Sequence, residues 1–111
     1  MIEKTILDYL LGRELTAYME RPEEPPQSYV LIEKTGSSED DLIITSTIAI
    51  QSYAPTLYEA AALNEQVKRL MNEADTLSSV SASKLVSDYN FTSTASKQYR
   101  YQAVYEVTHK E

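Results

Sequence analysis

The sequence predicts an α+β domain in which two helices pack on a mainly antiparallel sheet of four to five strands, in the order α-β-β-β-α-β-β. Three observations carry this expectation. Leu57, Ala60, Leu63, Val67, Leu70 and Ala74 fall on one helical stripe. Tyr99, Tyr101, Ala103, Tyr105 and Val107 alternate with Arg100, Gln102, Val104, Glu106 and Thr108, the period of two that a strand imposes. The β-prone runs are separated by polar breaks of hairpin length. Chain-length scaling buries about two-thirds of the unfolded surface for a chain of this size, so residues 1–111 are expected to form one domain around a single core.

In chain order, Ile2, Ile6, Tyr9 and Leu10, widened by Leu7 and Leu11, form the apolar stripe of a short first helix, with Gly12 as its stop. A short strand is expected over Leu15 to Met19. Arg21 to Ser28 holds Pro22, Pro25 and Pro26, whose missing donors and fixed φ make it a loop. Tyr29 to Thr35 alternates bulky residues and reads as a strand packed on both faces. Gly36-Ser37-Ser38-Glu39-Asp40-Asp41 reads as a hairpin loop. Leu42 to Tyr53 is a long strand whose face of Leu42, Ile44, Ile48 and Ile50 should meet the core.

Thr56 and Glu59 have the spacing of a capping box, in which hydroxyl and carboxylate satisfy donors of the first turn, so the main helix is expected from Thr56 to Asp75. Its polar residues, Glu59, Asn64, Glu65, Lys68 and Glu73, are expected off the buried stripe. Val80 to Tyr89 and Tyr99 onward give the last two strands, joined by the small, polar segment 92–98.

Composition excludes many chemistries. The chain has 17 acidic and 10 basic side chains, one histidine, and neither cysteine nor tryptophan. Without thiols there is no disulfide framework, thiolate metal cage or cysteine nucleophile. Two distant glycines, Gly12 and Gly36, build no dinucleotide fingerprint or phosphate loop. Hydroxyls abound, but a nucleophile needs an adjacent base, and His109 is expected at a strand end. Paired acids such as Glu23/Glu24 and Asp40/Asp41 read as solvated loop residues; no cofactor, metal or catalytic group is expected. No apolar run reaches the roughly 20 residues of a membrane span, and Glu3, Lys4 and Asp8 interrupt the first eleven residues, so a soluble, intracellular protein is expected.

The net charge of −7 is unevenly spread: residues 1–41 carry ten acids against four bases. A basic patch able to neutralise phosphates is missing, so nucleic-acid binding lacks its main driving force. The nine tyrosines, against one phenylalanine, suit surfaces that are wet alone and dry in a complex. Tyr99, Tyr101 and Tyr105 are expected to line the core with their hydroxyls at its edge. Tyr29, Tyr53, Tyr58 and Tyr89, near element ends, are the better interface candidates.

At Ile50-Gln51-Ser52-Tyr53-Ala54 with Leu57, Ala60, Leu63, Val67 and Met71, and at Ser87-Asp88-Tyr89-Asn90-Phe91-Thr92 with Tyr99-Arg100-Tyr101-Gln102-Ala103-Val104-Tyr105, the sequence resembles the tail-terminator (tail-completion) proteins of long-tailed bacteriophages and prophages. The resemblance covers most of the chain. It implies an α+β virion subunit that assembles, usually as a six-membered ring, on the finished tail tube, stops its polymerisation, meets the head-completion proteins and leaves a channel for DNA. Its partners would be further copies of itself, the tail tube protein and neck proteins. A head-closure or adaptor protein of the neck, and a protein-binding module outside phages, are the alternative readings.

A closed ring needs two different complementary patches per subunit. The acidic N-terminal part and the more basic segment around Lys84, Lys97 and Arg100 are one such pair. Glu39, Asp40, Asp41, Tyr53, Tyr58, Lys84, Tyr89, Lys97 and Arg100 are therefore the candidate contact residues. The segments 36–41 and 92–98, with little to bury, are expected to be mobile in the free subunit and to order on a partner.

Overall fold

A computed structural model describes residues 1–93 and 98–110. Its elements are α1 (Ile2–Gly12), β1 (Ala17–Tyr18), β2 (Tyr29–Asp40), β3 (Ile43–Ala54), α2 (Leu57–Met71), a 3-10 turn at Ala74–Thr76, β4 (Val80–Asn90) and β5 (Tyr99–Lys110). This is the expected order of elements and an α+β fold. The five strands form one mixed sheet in the order β1-β2-β3-β5-β4; β1 runs parallel to β2 and every other pair is antiparallel.

The central pair is β3 with β5, matched without a bulge from Ile43 opposite Lys110 to Ala54 opposite Tyr99. Twelve paired residues span about 40 Å at strand rise, close to the 44 Å longest dimension of the molecule. Both helices lie on one face of this sheet. Val30, Ile32, Ile48, Ile50, Ala103, Tyr105 and Val107 point to that face and close on Ile6 and Leu10 of α1 and Val67 and Met71 of α2, all nearly or wholly buried. Fully burying each such side chain contributes about 1.5–3 kcal/mol, the main driving force for the fold.

The helices start and stop where their sequences dictate. Thr56 Oγ1 accepts from the Glu59 backbone N–H at 3.1 Å, the N-cap half of the capping box, while Glu59 Oε2 accepts from the Thr56 hydroxyl at 3.0 Å in place of the Thr56 backbone N–H. Gly12 does end α1, but the left-handed residue that turns the chain away is Glu14, at φ 70°. The main helix ends at Met71 rather than Asp75; the chain then tightens into the separate 3-10 turn, which buries Ala74. Asn64, expected on the outer face, is 1 % exposed; its Nδ2 donates to Asp88 Oδ1 on β4 at 2.7 Å, while its Oδ1 is buried without a partner among the described residues.

Two strand expectations are corrected. The strand anticipated over Leu15 to Met19 shrinks to Ala17–Tyr18, which lies beside Val30 and Leu31. More consequentially, Gly36 to Asp40 is not a loop. These residues continue β2 and pair with β3 after a bulge at Thr35, and the turn is only Asp41-Leu42. The segment lacks apolar alternation because it extends past α1 with solvent on both faces, so pairing needs no buried side chains there.

Both turn residues have positive φ, 51° at Asp41 and 69° at Leu42, as the tight two-residue hairpin turn of type I′ requires. Asp tolerates that conformation. Leu does not, and its Cβ costs about 1 kcal/mol there relative to glycine. Leu42 is consequently 80 % exposed at the tip instead of in the core.

Replacing Thr56 with Ala should lower unfolding free energy by about 1 kcal/mol in urea titrations, with an unchanged m-value, because only the cap is lost. An unchanged midpoint would show that the capping box carries no stability.

Candidate interaction surface

The covered face of the sheet is stitched to α2 by polar contacts. Asp88 on β4 accepts from Asn64 Nδ2 at 2.7 Å and from Lys68 Nζ at 2.5 Å, and Lys68 also meets Glu65 at 2.7 Å. The hydrogen bonds to these two carboxylates push the Lys68 ammonium above its usual range. Tyr105, fully buried, donates toward the Lys68 carbonyl and Asn72 Oδ1 at 3.2 and 2.9 Å. Burial pushes its hydroxyl up to about 12. Tyr9 of α1 donates to the Leu70 carbonyl at 2.7 Å and ties the two helices together.

His109 also proves to be buried. Its Nε2 lies 2.8 Å from Ser46 Oγ, and its Nδ1 faces the Lys110 carbonyl at 3.2 Å. With Ser46 wholly buried and His109 4 % exposed, the pair joins the ends of β3 and β5 and has no opening through which a substrate could reach the hydroxyl. Among the described residues no group of three or more His, Asp or Glu side chains is placed to hold a metal ion.

The opposite face of the sheet has no helix on it. Strand alternation sends Tyr29, Gln51, Tyr53, Arg100, Gln102 and Tyr89 to this side, and they form one connected array. The Tyr29 and Tyr53 rings stack with centroids 4.7 Å apart. Tyr53 donates to Gln51 Oε1 at 2.7 Å, Gln51 Nε2 to Gln102 Oε1 at 3.0 Å, and Gln102 Nε2 to Tyr89 Oη at 2.6 Å. Arg100 donates from Nη1 to Tyr53 Oη at 2.9 Å and from Nε to the Phe91 carbonyl at 2.8 Å. Its guanidinium lies 4.2 Å above the Phe91 ring centroid, a cation–π contact.

Four of the nine candidate contact residues, Tyr53, Tyr89, Arg100 and Lys84, therefore share the open face or its β4 rim. Two change meaning. Tyr53 is 7 % exposed, so it builds the face from within instead of standing ready for a partner. Tyr29, at 4 % exposed, does the same, and burial raises its hydroxyl pKa against a partial offset from the Arg21 charge. Arg100 is half-buried, its guanidinium held by Tyr53, the Phe91 carbonyl and the Phe91 ring, with no carboxylate paired to it among the described residues. Lys84 remains exposed, opposite Glu106 on β5. Lys97 lies outside the described residues, as does most of segment 92–98.

The remaining candidates lie elsewhere. Glu39, Asp40 and Asp41 surround the β2–β3 hairpin tip, where the sequence reading missed the exposed Leu42 and Ile43. Their signal was present as two apolar residues directly after an acidic run. Tyr58, 82 % exposed, stands on the outer side of α2. Gln51 and Gln102 were also missed, since nothing in a lone glutamine indicates a cross-strand partner.

No protein-family model matches the chain, and no curated protein is similar to it at a significant level.

Replacing Arg100 with Ala should cost about 1–2 kcal/mol of stability through the lost carbonyl bond and cation–π contact, measurable by chemical denaturation. Tyr105 yields a pH prediction. Its folded pKa lies above the ordinary 10.0, so above that pH the unfolded chain loses a proton that the folded chain keeps, and stability falls between pH 10 and about 12. Lys68, Tyr9 and Tyr29 shift the same way and add to the fall. Tyr105→Phe should make the alkaline decline shallower; an identical slope would refute the assignment.

Proposed function

We propose that this chain is a structural subunit of a phage or prophage virion, a tail terminator that forms a ring on the finished tail tube, stops tube growth and presents a surface for head attachment. The observation that carries this reading is the one-sided sheet. One face holds the helices and the core cluster, while the other has no helix on it. There Tyr29 and Tyr53 are buried at one end, Gln51, Arg100 and Gln102 are half-buried and Tyr89 is exposed, and the outer side of β2 beyond Ile32 and the outer edge of β4 are left to solvent. An exposed strand edge is a ready site for another chain.

The chemistry of the open face supports assembly. Its tyrosine, glutamine and arginine side chains are held in position by one another, so little side-chain freedom is lost when a partner covers them. Such a surface is tolerable in water and adhesive when dried, as tyrosine-rich interfaces are. The acidic character of residues 1–41 suits a ring through which DNA must slide without sticking.

Tails assembled without this protein, viewed by electron microscopy, should be overlong or headless. Tails of normal length that join heads would refute the proposal.

A further inference from the structure

The side chain of the strained Leu42 stands outside the buried core. The residue occupies a left-handed turn position that glycine would fill without cost, and its side chain is 80 % exposed beside Ile43, 51 % exposed. With Ile44, Lys110, Glu39 and Asp41 these residues line a shallow hollow of about 470 Å³ on the hairpin tip. The tip is thus apolar, acid-rimmed and strained, a combination that marks contact sites in proteins.

A matching surface exists on the outer side of α2. Tyr58, Ala61, Ala62, Glu65 and Arg69 recur at helical spacing and line a depression of about 380 Å³. Ala61 and Ala62 form its small-residue floor, and Tyr58, 82 % exposed, stands at one end. Glu65 lies 2.7 Å from Lys68, a cation it shares with Asp88, whereas Arg69 has no acidic partner among the described residues. The depression thus offers an aromatic knob and an unpaired cation, and the tip offers an apolar hollow and three carboxylates.

The two patches cannot meet within one molecule. Leu42 precedes β3 and Tyr58 follows it, with the full length of that extended strand, about 40 Å, between them. Two complementary patches at opposite ends of one strand are what a head-to-tail contact requires.

We infer that the Asp41-Leu42-Ile43 tip of one copy seats on the Tyr58–Arg69 face of α2 in the next copy, with Tyr58 in the tip hollow and Arg69 facing Glu39, Asp40 and Asp41. This contact deepens the ring reading above and rests on it. Aromatic and arginine anchors against a desolvated apolar partner are the composition of interface hot spots.

The absence of native cysteine makes the test direct. Chains carrying Leu42→Cys, mixed with chains carrying Ala62→Cys and oxidised mildly, should cross-link to each other in preference to themselves. Leu42→Gly should raise the monomer's Tm by about 4 °C, as relief of turn strain does in a chain of this size, yet weaken self-association by about tenfold or more through the lost apolar anchor. Arg69→Glu should weaken it too, and Asp40→Lys with Asp41→Lys should restore it.

Predominant Leu42→Cys homodimers would overturn the inference in favour of tip-to-tip pairing. Rings visible by native mass spectrometry with no mixed cross-link, or rings unaffected by Leu42→Gly, would overturn the contact while leaving the ring reading intact. A wild-type chain that stays monomeric both alone and on isolated tail tubes would overturn both.

Discussion

Everything in this fold depends on the unbroken pairing of β3 with β5. Twelve residues on each strand are matched in a single register, so each position on one strand dictates which side of the sheet its partner faces. That register sets Ile48 against Tyr105 and Ile50 against Ala103 on the helical side, and Gln51 against Gln102 and Tyr53 against Arg100 on the open side. A slip by one residue would send the isoleucines to water and the glutamines into the core. The buried Ser46–His109 pair, at the end of this ladder, adds a polar contact that only the correct register can make.

The helices are shorter than the sheet they cover. Fifteen residues of α2 extend about 22 Å, roughly half the strand length, so the distal part of the β2–β3 hairpin projects past the helical layer. β2 is exposed from Glu33 onward for the same reason. The hairpin is held by strand pairing and by its turn, with little apolar burial beneath it, and that lets it carry a surface-exposed leucine. At the other edge, β4 is drawn to α2 through Asp88, Asn64 and Lys68 rather than through an apolar stripe, which leaves its outer edge open.

The elements legible in advance were those with a strong period. Most of the α2 stripe, its Thr56 cap and the alternation of β5 survive in the structure, because amphipathic periodicity is itself the record of a one-sided burial; Leu57, at the first turn, is 42 % exposed instead. Gly36 to Asp40 was misread because a strand with solvent on both sides has no such record. Asn64 was misplaced for a related reason: its polarity pointed outward, but a carboxylate on a strand 24 residues later takes its Nδ2 proton inside. Of the candidate contacts, Tyr58, Tyr89, Lys84 and the acids 39–41 are at the surface, while Tyr53 and Arg100 are absorbed into the array that builds the open face.

By itself the sequence determined the α+β class, the order of the elements, the principal helix and the chemistries open to the chain. Each follows from local composition and spacing, which short-range sterics and burial translate directly into structure. Only the tertiary structure decided that β2 runs on to Asp40, that the turn falls on Asp41 and Leu42, that His109 is buried against Ser46, and that tyrosines far apart in sequence stack on the face that carries no helix. Those outcomes depend on which strand lies beside which and in what register, a long-range choice set by the combined burial of the whole sheet.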